Sequence, residues 1–175
     1  MPGERRATVR LTSKADALLL PAIERSAGEL FRGIPDLAWV ADDELQTVER
    51  HQAQARAGTS WVIVDEADQP FGFLSAEEYG RELHIWELAV RQNRQGRGAG
   101  RALLETWIDY ARSRGLKAIT LTTFREVPWN APWYARLGFE ALSLAGAKDR
   151  LASVLREEER RGLPGERRCA MRLQL

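Results

Sequence analysis

The stretch RQNRQGRGAGRALLETW, residues 91 to 107, sets glycine at 96, 98 and 100 immediately ahead of a segment with helical spacing. Three glycines in five residues forfeit packing and cost backbone entropy, so the pattern asks for something that must approach the main chain closely. The first amides of a helix have no intrahelical acceptor and carry the positive end of its dipole, which makes that visitor an anion. Register separates the anion classes. A dinucleotide fingerprint needs glycine at its first, third and sixth positions, and counting from Gly96 the sixth is Arg101. A nucleoside-triphosphate loop needs Gly-Lys-Ser/Thr after four spacers, and neither that lysine nor that hydroxyl is present.

Other residue types carry less. Glu87 is a carboxylate inside the apolar run ELHIWELAV, and such a group is justified either by chemistry or by an arginine partner. Tyr134 stands between Trp133 and Phe139, where a core tyrosine would also stand. His84 alternates with Trp86 and Leu88 along one strand and reads as structural, whereas His51 lies among charged residues and reads as solvated. Cys169 is the single cysteine, which excludes an internal disulfide, and with two distant histidines it makes no metal-ligand cluster.

The elements that must position these residues follow from periodicity. Residues 7–12 alternate as a strand, and Ser13 caps a helical pattern running to Gly33 that Pro21 bends or splits. Residues 42–58 read as a helix opened by Asp42 and Asp43 and closed by Gly58. SWVIVDE, FGFLSAEEY and ELHIWELAV form an antiparallel meander, and a helix over 100–115 then leads to the strand KAITLTTF. A strand, crossover helix, strand order implies a parallel pair. A short helix around NAPWYARLG, a strand FEALSL, a charged helix over 147–161 and a terminal strand RRCAMRLQL complete the chain. The expected fold is α/β (α+β): a mixed, mostly antiparallel sheet of six or seven strands with helices on both faces.

Composition sets the frame. The 175 residues are 44% hydrophobic, enough for one core, so a single domain over 1–175 is expected. Twenty-six basic against 25 acidic residues leave a charge of +1, so no global field favours nucleic acid or an anionic membrane, and an anion site must be local. The N-terminus lacks the apolar run of a secretory signal and no stretch has bilayer-spanning length, so a soluble, cytoplasmic protein is expected.

The loop fits the pattern Q-x-x-G-x-G, here Gln95-Gly96-Arg97-Gly98-Ala99-Gly100, directly after a strand ending ELAV. It resembles the pyrophosphate-binding loop of the GNAT superfamily of acyl-coenzyme A-dependent N-acyltransferases. NAPWYARLGFE at 130–140 is similar to that family's Asn, Tyr, Leu-Gly-Phe segment, and together the two motifs cover about residues 59–144. The resemblance implies acetyl-CoA as cosubstrate without a metal, held by Gln95 to Gly100 with Arg101, and an N-acetyltransferase acting by direct attack in a ternary complex. It also implies that the strand splays from its neighbour so that pantetheine pairs with the backbone of Leu88, Ala89 and Val90, with Val90 the oxyanion donor. Glu87 is the candidate base and Tyr134 the candidate acid for the leaving thiolate, while Asn130 bonds the cofactor arm or caps the short helix. The family's acceptor walls correspond here to Trp39, Asp42, Asp43, Tyr79, Trp129 and Trp133, and the expected acceptor is a small-molecule primary amine. A protein or peptide acceptor, a non-catalytic CoA-binding regulatory module and a homodimer stay open.

Overall fold

The computed structural model describes residues 7–144 and 149–175. Seven strands, β1 Thr8–Leu11, β2 Ser60–Val64, β3 Pro70–Tyr79, β4 Glu82–Val90, β5 Ala118–Phe124, β6 Glu140–Ala141 and β7 Arg168–Gln174, lie in the order β1-β2-β3-β4-β5-β7-β6. The helices are α1 Leu20–Gly28, α2 Val48–Arg56, α3 Ala99–Ser113, α4 Ala131–Ala135 and α5 Arg150–Arg160. The crossover rule holds: β4 and β5, joined through α3, pair in parallel over Glu82–His84 opposite Ala118–Thr120. The pairs β1–β2, β2–β3, β5–β7 and β6–β7 are antiparallel. The fold is the mixed, mostly antiparallel sheet that the residue pattern implies.

Two compact units divide the chain: Met1–Glu77 with Glu87–Asp109, and Glu78–Trp86 with Tyr110–Leu175. In the first unit Leu20 and Ile23 of α1 pack with Val62, Val64, Phe73 and Ala89. Trp61, next to Val62 and therefore on the opposite face of β2, meets Trp107 of α3 edge to face at 6.0 Å. Helices thus cover both faces of β2. In the second unit α5 sets Arg150 against Thr120 and Glu158 against Thr122, two residues on one side of β5, while Ile119 and Leu121 are buried on the other.

The N-terminal helical pattern is divided near Pro21, as expected, and two other local expectations change. Ahead of the division Ser13 and Asp16 make a reciprocal cap, Ser13 Oγ accepting from the Asp16 amide at 3.1 Å and Asp16 Oδ2 from the Ser13 amide at 2.7 Å. A single 3-10 turn follows, α1 starts afresh with Pro21 in its first turn, and two further 3-10 segments, Glu29–Gly33 and Pro35–Asp42, extend beyond it. Helix α2 is capped not by Asp42 or Asp43 but by Thr47, whose hydroxyl accepts from the Arg50 amide at 3.2 Å. His51 is fully buried, contrary to the solvated reading, with its ring edge-on to Phe73 at 5.2 Å. Charged neighbours in sequence hid the fact that position 51 lies on the inward face of α2. Of the segment expected as a helix from 147, residues 147 and 148 fall outside the described residues.

Candidate functional site

In the first unit β4 ends in half-buried Glu87 and Leu88 followed by buried Ala89 and Val90. Strand β3 lies close to this backbone because Gly72 has no side chain: a Cβ there would come within 3.0 Å of the Ala89 carbonyl oxygen and 2.9 Å of an Ile63 methyl. The Arg91 amide donates to the Phe71 carbonyl at 2.8 Å, and the Gln92 amide to Ser26 Oγ of α1 at 3.1 Å. The Gln95 side-chain amide then turns back and donates to the Val90 carbonyl at 2.8 Å. The loop is therefore tied to the strand that precedes it.

Within the loop Gly96 and Gly98 have φ of +73° and +82°, and a Cβ at either would meet nothing within 4 Å. These two positions need the left-handed region and leave open space beside the main chain. The Gly98 carbonyl accepts the Ala102 amide at 2.9 Å, so Ala99, Gly100 and Arg101 occupy the first three positions of the 15-residue helix α3, where amides have no carbonyl one turn back. Arg97 is exposed, and Arg101 pairs with Glu105 at 2.7 Å on the surface. Arg94 stacks on Phe71 at 5.1 Å and lies 3.8 Å from Asp65. An anion held here would meet backbone amides, the positive end of a four-turn helix and flanking guanidinium groups.

The second unit holds Asn130 and Tyr134. The Asn130 carbonyl accepts the amides of Trp133 at 2.9 Å and Tyr134 at 3.0 Å. Its backbone performs the capping, and its side chain makes no cap bond, which removes the side-chain cap from the two alternatives. Tyr134 is 8% exposed and packs edge-on to Trp133 at 4.9 Å and Phe139 at 5.4 Å. His84 is buried, as the structural reading requires, with Nδ1 2.9 Å from Thr120 Oγ1. Burial pushes the Cys169 thiol up, the opposite of an activated nucleophile.

Among the residues assigned to acceptor walls, Asp42 is committed elsewhere. Arg32 grips it with two bonds of 2.7 and 2.9 Å and holds its carboxyl below the usual range. Arg25 donates to the Ala41 and Asp43 carbonyls at 2.7 and 3.0 Å, fixing the end of that segment. Trp39 is 41% exposed, and Tyr79 carries the Arg150 guanidinium over its ring at 4.2 Å. Ser26, Gly72, Thr120 and Arg150 escape a reading by spacing, because each acts through a partner 9 to 66 positions away. Among the described residues no group of three or more His, Cys, Asp or Glu could hold a metal, and no helix is long and apolar enough to cross a membrane.

Comparison with known proteins gives these observations a frame. PaiA N-acetyltransferase from Thermoplasma acidophilum, solved with coenzyme A, superposes with a TM-score of 0.71 at 13% identity, over 97% of this chain and 99% of that one. The ribosomal-protein-S18-alanine N-acetyltransferase from Escherichia coli gives 0.65 at 17% identity, over 97% and 94%. N-acetylglutamate synthase from Neisseria gonorrhoeae, solved with coenzyme A and N-acetyl-glutamate, gives 0.71 at 19% identity over 99% of this chain but 36% of its own length. At these identities the likeness is one of fold. The Acetyltransferase (GNAT) family profile matches residues 25–139, a segment that contains β4, the glycine loop, α3 and the Asn130–Tyr134 turn, and the chain belongs to that family.

Proposed function

We propose that this protein transfers the acetyl group of acetyl-CoA to a small-molecule primary amine by direct attack in a ternary complex. The observation that carries the proposal is the loop: two left-handed glycines with open space beside them, tied to the end of β4 and opening a long helix, inside the segment matched by the family. The pyrophosphate of CoA suits that cradle, since backbone amides at a helix start bind its charge without a metal. Solved relatives of the same fold hold coenzyme A.

Each residue then has a task. The loop from Gln95 to Gly100, with Arg97 and Arg101, holds the pyrophosphate, and the backbone of Leu88, Ala89 and Val90 receives the pantetheine arm. The parallel register of β4 with β5 over its first residues, Glu82–His84, supports leaving the later part of β4 for that arm. The Val90 amide faces the thioester oxygen as it gains charge. Glu87, directly or through water, takes a proton from the acceptor ammonium, whose pKa is about 10 for an alkyl amine. Tyr134 protonates the departing thiolate, and Asn130, its side chain not engaged in capping, bonds the cofactor arm.

The decisive experiment compares thiol release from acetyl-CoA across small amines and N-terminal peptides with CoA affinity measured alone. Turnover with small amines is the expected result. Turnover confined to peptides would move the acceptor to proteins, and CoA binding without turnover on any amine would favour a regulatory module.

A further inference from the structure

The glycines of the loop bring no side chains to hold it in place, and an added Cβ at Gly96 or Gly98 would meet nothing within 4 Å. The cradle is therefore placed by its two ends. One end is α3. The other is the 3-10 turn Gln92–Arg94, closed by the Arg94 amide donating to the Arg91 carbonyl at 2.8 Å. The Gln95 amide follows at 3.3 Å from the Gln92 carbonyl, so the position of residue 92 passes directly to the residue that opens the cradle.

Such a turn starts on amides with no acceptor of their own, and Arg91 supplies no side-chain cap. The Gln92 amide is satisfied instead from α1, 66 residues earlier, by Ser26 Oγ at 3.1 Å. Serine inside a helix is disfavoured relative to alanine, so its presence at 26 is explained by what the hydroxyl touches. Ser26 borders the stripe of Leu20, Ile23 and Ala27 that α1 packs against Val62, Val64, Phe73 and Ala89. Its neighbour Arg25 donates to the Ala41 and Asp43 carbonyls at 2.7 and 3.0 Å, which ties α1 to the end of the segment Pro35–Asp42 as well. Ser26 thus acts from a helix anchored in the core, and a contact from a rigid element positions more sharply than one from a loop.

We propose that Ser26 is a positioning residue for the cofactor: its hydroxyl caps the turn Gln92–Arg94 from another helix and so holds the glycine cradle in the conformation that takes the pyrophosphate. The proposal rests on the acetyltransferase reading, in which that cradle binds CoA. Without the hydroxyl the free loop spends a smaller fraction of its time in the binding conformation, and the apparent Kd rises in proportion. Ser26 takes no part in the chemistry at the thioester.

Calorimetric titration of the full chain with CoA tests it. Ser26→Ala, a substitution that favours a helix and keeps the fold, should weaken CoA binding about three- to tenfold, the range set by one net hydrogen bond. Ser26→Thr, which restores the hydroxyl, should bring the affinity back toward wild type. Amide hydrogen exchange of the free protein, followed by NMR, reads the loop itself: the Gln92 amide should exchange faster in Ser26→Ala than in wild type or Ser26→Thr. A merely structural serine predicts a shifted melting temperature with CoA affinity unchanged in Ser26→Ala, and that result would overturn the proposal. Weakened binding with the Gln92 amide exchanging as in wild type would also overturn it, since the turn would not be the cause. Should the wild-type chain bind no CoA, the acetyltransferase reading falls and the proposal with it. Wild-type binding with Ser26→Ala unaffected removes the proposal alone, so the two failures are distinguishable.

Discussion

In the proposed reaction Glu87 and Tyr134 make opposite demands on their surroundings, since as base one must accept a proton at neutral pH and as acid the other must keep its own until a thiolate forms. Tyr134 sits between Trp133 and Phe139 with 8% exposure, so Tyr134→Phe removes the hydroxyl while preserving both ring contacts. We expect kcat to fall about 100-fold or more with CoA affinity little changed, as for an interaction used mainly in the transition state. Steady-state rates beside calorimetric titration with CoA decide it, and a near-normal rate would make Tyr134 a packing residue. Half-buried Glu87 calls for a test by pH. As base, its replacement by Gln should depress kcat/KM most at neutral pH and recover as rising pH supplies free amine, whose pKa is about 10. A profile parallel to wild type from about pH 6 to 10 would mark Glu87 as structural instead.

At the scale of elements, the loop before α3 combines conformation and access. Because Gly98 has φ of +82° with nothing within 4 Å of an added Cβ, Gly98→Ala brings strain without collision, costing about 1 kcal/mol of stability with CoA affinity largely kept. Gly98→Glu carries the same strain and adds a charged chain to the cradle, so CoA binding should be lost from a folded protein. Melting curves and calorimetry of both variants separate the two effects, and unchanged affinity in Gly98→Glu would place the pyrophosphate elsewhere. This loop was legible in the sequence because its signal is local: glycine register, a strand before and helical spacing after. The start of α2 was not, since Asp42 and Asp43 look like caps until Arg32 is seen to bind Asp42, five positions before the Thr47 that caps the helix. His51 and the Thr120–Arg150 contact were hidden for the same reason, as their partners come from distant segments. Another such contact makes β1 sensitive to acid. Asp16 is partly desolvated, which alone would raise its pKa, but bonds from Arg10 and Ser13 outweigh burial and hold it below the usual range. A carboxyl depressed on folding stabilises above its unfolded pKa of about 3.9 and loses that contribution as pH falls through the folded value. The stability gap between wild type and Asp16→Asn should therefore be widest near neutrality and close below about pH 4 in denaturant titrations.

For the whole molecule, the question is whether two compact units behave as one. The boundaries fall inside β3, β4 and α3: Glu77 to Glu78, Trp86 to Glu87 and Asp109 to Tyr110 are each consecutive within one strand or helix. Melting one unit alone would cut two hydrogen-bonded strands and a helix in mid-course, and the freed backbone groups would have to be satisfied anew. Linkers between independent domains run through exposed loops instead. We therefore expect one calorimetric transition with equal calorimetric and van't Hoff enthalpies, as for a single domain of 175 residues. Ligand linkage then extends the test to function. Free CoA at about 100 times its Kd should add about 2.7 kcal/mol of stability to a protein that binds it only when folded. For a chain of this length that is an upward shift of about 5 to 10 °C in Tm. The shift should move the whole transition, because under cooperative unfolding a ligand held by the loop of the first unit also stabilises residues of the second. In Gly98→Glu it should vanish. Two transitions, with CoA moving one of them, would show that the units unfold separately and would restrict the cofactor's grip to whichever unit moved.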